Sequence, residues 1–214
     1  MNWPRSSSRA TALALLAVTL GGSAALYYGS SGFRALSTEA ARRLQVAENP
    51  LPVPPARLLG ADGAATELTD ELALDGRITL VTFIYARCQS VCRVLGTELQ
   101  QMQDQIRARG AASRVRLVTI SFDPRDDAQA LTGYGRMMHS DPEVWRLYGI
   151  EDDRERRRLL DAFGVVVVPA PLGEFEHNAA FHVVDRNGNL VRILDYTAPD
   201  AALDDALARA GDPA

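Results

Sequence analysis

Ile78-Thr79-Leu80-Val81-Thr82-Phe83-Ile84-Tyr85-Ala86-Arg87-Cys88-Gln89-Ser90-Val91-Cys92-Arg93 is the stretch from which the rest of the chain can be read. Ile78 to Tyr85 is β-branched and aromatic without polar alternation, so it reads as a strand buried on both faces. From Ser90 to Arg109 the spacing becomes helical, with Val94, Leu95, Leu99, Met102 and Ile106 on one side. A doubly buried strand feeding a helix opens a strand–helix–strand unit, and such units build sheets with helices laid over them. Cys88 and Cys92, the only cysteines of the chain, sit at that junction.

Downstream the alternation continues. Arg114 to Phe122 reads as a second strand, Asp127 to Met138 and Arg154 to Phe163 as helices, and Val165 to Val168 as a short apolar run. Ala180 to Asp185 and Leu190 to Tyr196 flank Arg186-Asn187-Gly188-Asn189, a hairpin turned by Asn-Gly. Ala201 to Ala210 closes the chain as a helix. Upstream, Ala61-Asp62-Gly63 marks a turn between two short extended pieces within Arg57 to Thr66. The expected fold class is α/β, a mixed central sheet with helices on both faces.

The N-terminus differs in kind. No residue from Ala10 to Phe33 is charged, and Arg5 and Arg9 precede the run without an acidic neighbour. About 20 apolar residues in a helix span a bilayer, and the arginines favour a cytoplasmic start. An uncleaved anchor is the favoured reading; a removable signal cut near Ser23-Ala24-Ala25 is the alternative. Either places the remainder on the periplasmic, or equivalent exported, side, where disulfides persist. Ser37 to Ala47 reads as a short helix capped by Ser37 or Thr38, and Pro50, Pro52, Pro54 and Pro55 as a stiff extended linker. The expected organisation is therefore residues 1–9 cytoplasmic, 10–33 anchor or signal, 34–56 juxtamembrane helix and linker, and 57–212 folded domain.

Composition removes whole classes of function. The 214 residues carry 23 basic against 27 acidic side chains, a net charge of −4, the wrong sign for a nucleic-acid binder. Every basic residue is arginine. That excludes a P-loop lysine, a Schiff-base lysine and a kinase-type lysine. Two cysteines build neither a disulfide-dense scaffold nor a four-cysteine zinc site.

What remains is the cysteine pair. At i and i+4 of a helix both sulfurs would lie on one face, close enough to form a disulfide or to converge on one metal ion. A helix N-terminus favours thiolate, and Arg87 and Arg93 push the same way. Soft thiolates suit Cu(I) or zinc, and the scarcity of further Cys and His favours low-coordinate copper. A third ligand must come from His139, His177, His182 or a methionine. His177, in a polar approach just before a strand, is best placed. His182 alternates with Ala180 and Val184 as a strand residue does, and His139, after Met137 and Met138, reads as a helix end. A static disulfide staple is the competing reading of the cysteines.

With these residues in view, the chain resembles the Sco/SenC family, membrane-anchored thioredoxin-like copper proteins that help build the dinuclear copper centre of cytochrome c oxidase. Strand–Cys-x-x-x-Cys–helix is one shared motif. His177 to Gly188, across HNAAFHVVDRNG, reproduces the family's interval from histidine to turn. Ser121-Phe122-Asp123-Pro124-Arg125-Asp126-Asp127 is similar to its acidic segment, and Trp145-Arg146-Leu147-Tyr148-Gly149, one residue shorter, to its W-x-x-L-x-G. The likeness runs over roughly residues 56–212. It implies a thioredoxin-like fold, copper as Cu(I) or Cu(II) bound by Cys88, Cys92 and His177, and a partner in the oxidase's copper-centre subunit. It also implies the alternative of a thiol–disulfide reductase keeping that subunit's cysteines reduced, with Cys88 attacking and Cys92 resolving. A peroxidase on the same fold is disfavoured, because Val81 and Tyr85 stand where its proline and threonine belong.

Three departures from the family pattern stand out. Gln89 and Arg93 replace prolines, which leaves the cysteine loop less pre-organised and adds a positive charge beside the site. Asp126 stands where an arginine is expected. Asp123 and Asp127 read as loop-forming or partner-facing residues rather than ligands.

Overall fold

The computed structural model describes residues 7–30, 32, 37–73, 76–88 and 91–211, the side chains of Ser7, Val91 and Cys92 excepted. Arg5, Phe33, Gln89 and Ser90, each singled out in the sequence, lie outside the described residues. The chain forms two compact units, residues 1–48 and 49–214.

The first unit holds α1 (Ser7–Gly29) and α2 (Thr38–Glu48). Leu13, Leu15, Leu16, Val18, Leu20 and Leu26 of α1 are all exposed. A helix apolar all round and not covered by protein fits a lipid environment, and residues Ser8–Gly29 are long and apolar enough to cross a membrane. Such a helix near an N-terminus fits a membrane anchor or a signal. In α2 the Ser37 hydroxyl accepts from the Ala40 N–H at 3.1 Å, and Glu39 pairs with Arg43 one turn on.

The second unit is built on an eight-stranded mixed sheet. Its strands are β1 (Leu51–Pro52), β2 (Arg57–Gly60), β3 (Ala65–Glu67), β4 (Ile78–Ile84), β5 (Val115–Ser121), β6 (Trp145–Ile150), β9 (Ala180–Val184) and β10 (Asn189–Asp195), in the order β1-β10-β9-β4-β5-β6-β2-β3. The strands β4, β5 and β6 are parallel and the other pairings antiparallel. Every residue of β4 and β5 is buried, as a strand covered by helices on both faces requires. The helices are α3 (Leu68–Ala73), α4 (Val91–Ala108), α5 (Ala128–Met137), α6 (Asp153–Phe163) and α7 (Pro199–Gly211). The short strands β7 (Val167–Pro169) and β8 (Phe175–His177) form a separate hairpin.

Polar groups inside the sheet are paired. Thr82 and Thr119 hydroxyls meet at 2.9 Å, and the Trp145 indole N–H donates to Thr119 at 2.9 Å. Buried Arg116 donates to Thr79 and Glu71, and Glu71 also receives Arg146. A buried charge without such partners would cost several kcal/mol, about 3–5 for a broken pair.

The structure departs from the sequence reading in three places. Trp145–Ile150 is the strand β6; Arg146 and Gly149 disguise it, although Trp145 and Leu147 to Ile150 are all buried. Leu68–Ala73 is a helix the reading left unassigned. Asn49 to Ala56, read as linker, lies in the second unit: Leu51 and Pro52 pair with Leu190 and Asn189, and Val53 donates to Gly188 at 3.0 Å. A proline is tolerated there because β1 is an edge strand.

Candidate metal centre

The centre forms where β4 and β5 end. After Ile84, buried Tyr85 opens a turn that the Cys88 N–H closes by donating to the Tyr85 carbonyl at 3.2 Å. Helix α4 is described from Val91 on, and Cys88 is not helical. Cys88 therefore precedes the helix and Cys92 stands in its first turn, so the expected i, i+4 placement on one helical face does not hold. Cys88 is buried; the Cys92 sulfur lies outside the described residues. The Cys92 position, in the first turn of an 18-residue helix, keeps the benefit of exposed N–H groups for a thiolate.

The cysteine turn is held by the loop after β5. Ala86 donates its N–H to Asp126 Oδ2 at 2.6 Å, and the Ser121 hydroxyl donates to the same oxygen at 2.6 Å. Arg87 donates to the Arg125 carbonyl at 3.0 Å, with its Nε 3.7 Å from Asp126 Oδ1. Asp126 thus has a structural place where an arginine was expected. Asp127 caps α5 by accepting from Ala130, and buried Asp123 is paired with Arg125. Burial pushes the Asp123 carboxyl up, but the hydrogen bonds from Arg125 outweigh it and hold the group below the usual carboxylate range.

His177 stands just ahead of β9, as expected, and is itself the last residue of the short strand β8, where it faces Val167 in register. Its half-buried ring stands edge-on to Phe122 with centroids 4.9 Å apart, and to Tyr85 at 6.2 Å. Nδ1 is 3.1 Å from the Asn178 carbonyl; with the proton there, the lone pair falls on Nε2, the arrangement a metal-binding imidazole uses. Burial lowers the His177 pKa and so favours the neutral ring, and the hydrogen bond to Asn178 offsets this only in part.

Tyr85 links the two halves. Its hydroxyl donates to Glu174 at 2.6 Å, and Cys88 is a further hydrogen-bond partner. Burial first, then these bonds, raise its pKa, so the phenol stays protonated. Cys88 and His177 therefore adjoin the same tyrosine. Among the described residues, which omit the Cys92 sulfur, no three of His, Cys, Asp and Glu gather as a metal cluster.

The other candidates stand apart. His182 is buried, its nitrogens 3.2 Å from the Val81 carbonyl and 3.1 Å from that of Phe163. His139 is exposed at the end of α5, with φ of 53°. Of the neighbouring methionines, Met137 is exposed and Met138 buried. Tyr85, Phe122, Glu174 and Phe175 escaped the sequence reading. The only signal they left was an aromatic residue just past the end of each central strand.

The SCO1/SenC family model matches residues 57–211. Among solved structures, Bradyrhizobium japonicum ScoI with copper bound is 25% identical, with a TM-score of 0.55 over 74% of this chain and 99% of that one. A SCO1/SenC family lipoprotein from Bacillus anthracis is 20% identical, with a TM-score of 0.67 over 76% and 98%. BsSco, described as a member of the Sco family of cytochrome c oxidase assembly proteins with a disulfide switch, is 20% identical, with a TM-score of 0.64 over 76% and 95%. No curated protein matches the chain. The mixed central sheet flanked by helices matches the thioredoxin-like Sco neighbours, and with a family match across nearly the whole second unit the chain belongs to the SCO1/SenC family.

Proposed function

We propose that this protein binds copper through Cys88, Cys92 and His177 and delivers it to the dinuclear copper centre of cytochrome c oxidase, from a domain held on the periplasmic side by α1. The observation that carries this reading is that Cys88 and His177 adjoin one tyrosine while Cys92 follows in the first turn of α4. The copper in the Bradyrhizobium relative and the oxidase-assembly description of the Sco family point the same way.

In this reading two thiols lose their protons on binding Cu(I), and the dithiolate complex has a net charge of −1. A neutral imidazole completes the donor set without adding charge. Such low-coordinate copper is open to an incoming ligand from the recipient, so transfer proceeds by exchange of ligands. Arg87 and Arg93 lower the cost of the negative charge.

A second reading, a thiol–disulfide reductase for the recipient's cysteines, is favoured by the disulfide switch described for BsSco. There the Cys88 thiolate attacks a target disulfide and Cys92 resolves the mixed disulfide, leaving two target thiols and an oxidised Cys88–Cys92 pair. The experiment that separates the two is a chelator competition on the reduced full chain. One equivalent of Cu(I) should bind, and His177→Ala should weaken copper retention about tenfold or more without unfolding. Unchanged retention together with rapid thiol exchange would favour the reductase.

A further inference from the structure

The β7–β8 hairpin carries His177 yet buries little of itself: Val166, Val168 and Leu172 are exposed. Few apolar contacts hold it, so specific ties must. One runs through Arg125. Buried Asp123 receives the Arg125 Nε at 2.8 and 3.0 Å and Nη2 at 2.7 Å, a forked pairing that fixes the guanidinium plane. So aimed, Nη2 donates to the Gly173 carbonyl at 2.7 Å, and the guanidinium lies over the Phe175 ring, 5.3 Å from its centroid. Gly173 makes the approach feasible. A Cβ there would stand 2.8 Å from Arg125 Nη1, and φ is 78°. Phe175 then packs on Phe122 and Tyr85 at 5.6 and 5.3 Å, the two rings that flank His177.

We propose that Arg125 is a positioning residue for His177: braced by Asp123, it sets where the hairpin sits and so where the imidazole lies beside the Cys88 turn. The inference rests on the copper reading above and adds the residue that registers the histidine against the cysteines. It also distinguishes two roles within one loop, since Asp126 holds the cysteine turn while Arg125 holds the hairpin.

The test uses the reduced full chain and its Arg125→Ala, Arg125→Lys, Gly173→Ala and His177→Ala variants. Cu(II) affinity, measured by chelator competition, should fall about tenfold or more in Arg125→Ala, the usual cost of losing a residue that orients a ligand. Lysine should not rescue it, because an ammonium forms no fork with Asp123. The Arg125→Ala/His177→Ala double variant should bind like His177→Ala alone, since both changes remove the same ligand. The Cys88–Cys92 reduction potential in glutathione buffers should not change. A readout independent of copper is the NMR shift of the His177 ring protons, displaced by the Phe122 ring; Arg125→Ala and Gly173→Ala should return it toward free-histidine values. Wild-type ring shifts in Arg125→Ala, or additive losses in the double variant, would overturn the proposal. Should the wild type bind no copper, the copper reading falls and the ring shifts still decide the role of Arg125. Should Arg125→Ala not fold, Gly173→Ala decides it from the hairpin side.

Discussion

Asp126 accepts its hydrogen bonds at one oxygen and meets the Arg87 guanidinium at longer range with the other. Both of its donors, the Ala86 N–H and the Ser121 hydroxyl, end on Oδ2, while Oδ1 is buried and has no hydrogen-bond partner among the described residues. An asparagine that turns its carbonyl toward the two donors keeps both bonds. Asp126→Ala instead strands the N–H of half-buried Ala86 and the hydroxyl of buried Ser121, at about 1–3 kcal/mol each. Denaturant unfolding should therefore show Asp126→Ala destabilised by about 2–4 kcal/mol and Asp126→Asn by clearly less; equal losses would mean that charge rather than hydrogen bonding matters. The cysteines themselves were legible because two soft ligands at a strand–helix junction are a local pattern. The carboxylate that supports them was not, because its partners lie on a neighbouring strand and turn that only folding brings near.

At the scale of elements, the β7–β8 hairpin is the part least like its sequence. Val165 to Val168 has the composition of a buried strand, yet Val166 and Val168 are exposed and β7 pairs only with β8. Composition reports β propensity and not where a strand comes to lie. Its tip is strained: Leu172 adopts φ of 63° and is fully exposed, a left-handed conformation that costs a side chain of this kind about 1 kcal/mol or more. Leu172→Gly should stabilise the domain by about 0.5–1 kcal/mol in thermal or denaturant unfolding, because no buried contact is lost. A destabilised variant would show that the leucine side chain has a partner it needs. By contrast the β9–β10 hairpin was legible, since Asn187-Gly188 between two apolar runs specifies a turn from sequence alone and Gly188 takes φ of 76° there.

At the scale of the whole molecule, the sheet has two more strands than the sequence disclosed, β6 inside it and β1 at its edge. Strand β1 covers β10, Val53 and Ala56 are buried, and Leu68 donates to the Ala56 carbonyl at 2.8 Å. A soluble fragment starting at Arg57 loses all of this and uncovers an edge strand, which invites pairing between copies. Compared with a fragment starting at Asn49, it should be less stable by about 2–4 kcal/mol, from the lost burial of Val53 and Ala56 and the lost hydrogen bonds. It should also aggregate at lower concentration, as light scattering would show; equal stability would mean that β1 merely rests on the sheet. The prolines hid this strand, because they mark an extended linker and an edge strand equally well. His177 was placed by resemblance and interval, whereas its surroundings depend on three separate loops meeting at one end of the sheet.

Trp145, sealed in the sheet with its indole bonded to Thr119, is one of only two tryptophans in the chain, and the other, Trp3, lies ahead of α1. In the second unit all tryptophan emission thus comes from a single chromophore, four residues along the sheet from the Ser121–Gly149 pair. A red shift reports that the sheet has opened to water. A variant that loses copper while its emission holds steady has lost a ligand rather than its fold, so the protein carries its own optical control for every substitution at the cysteine turn.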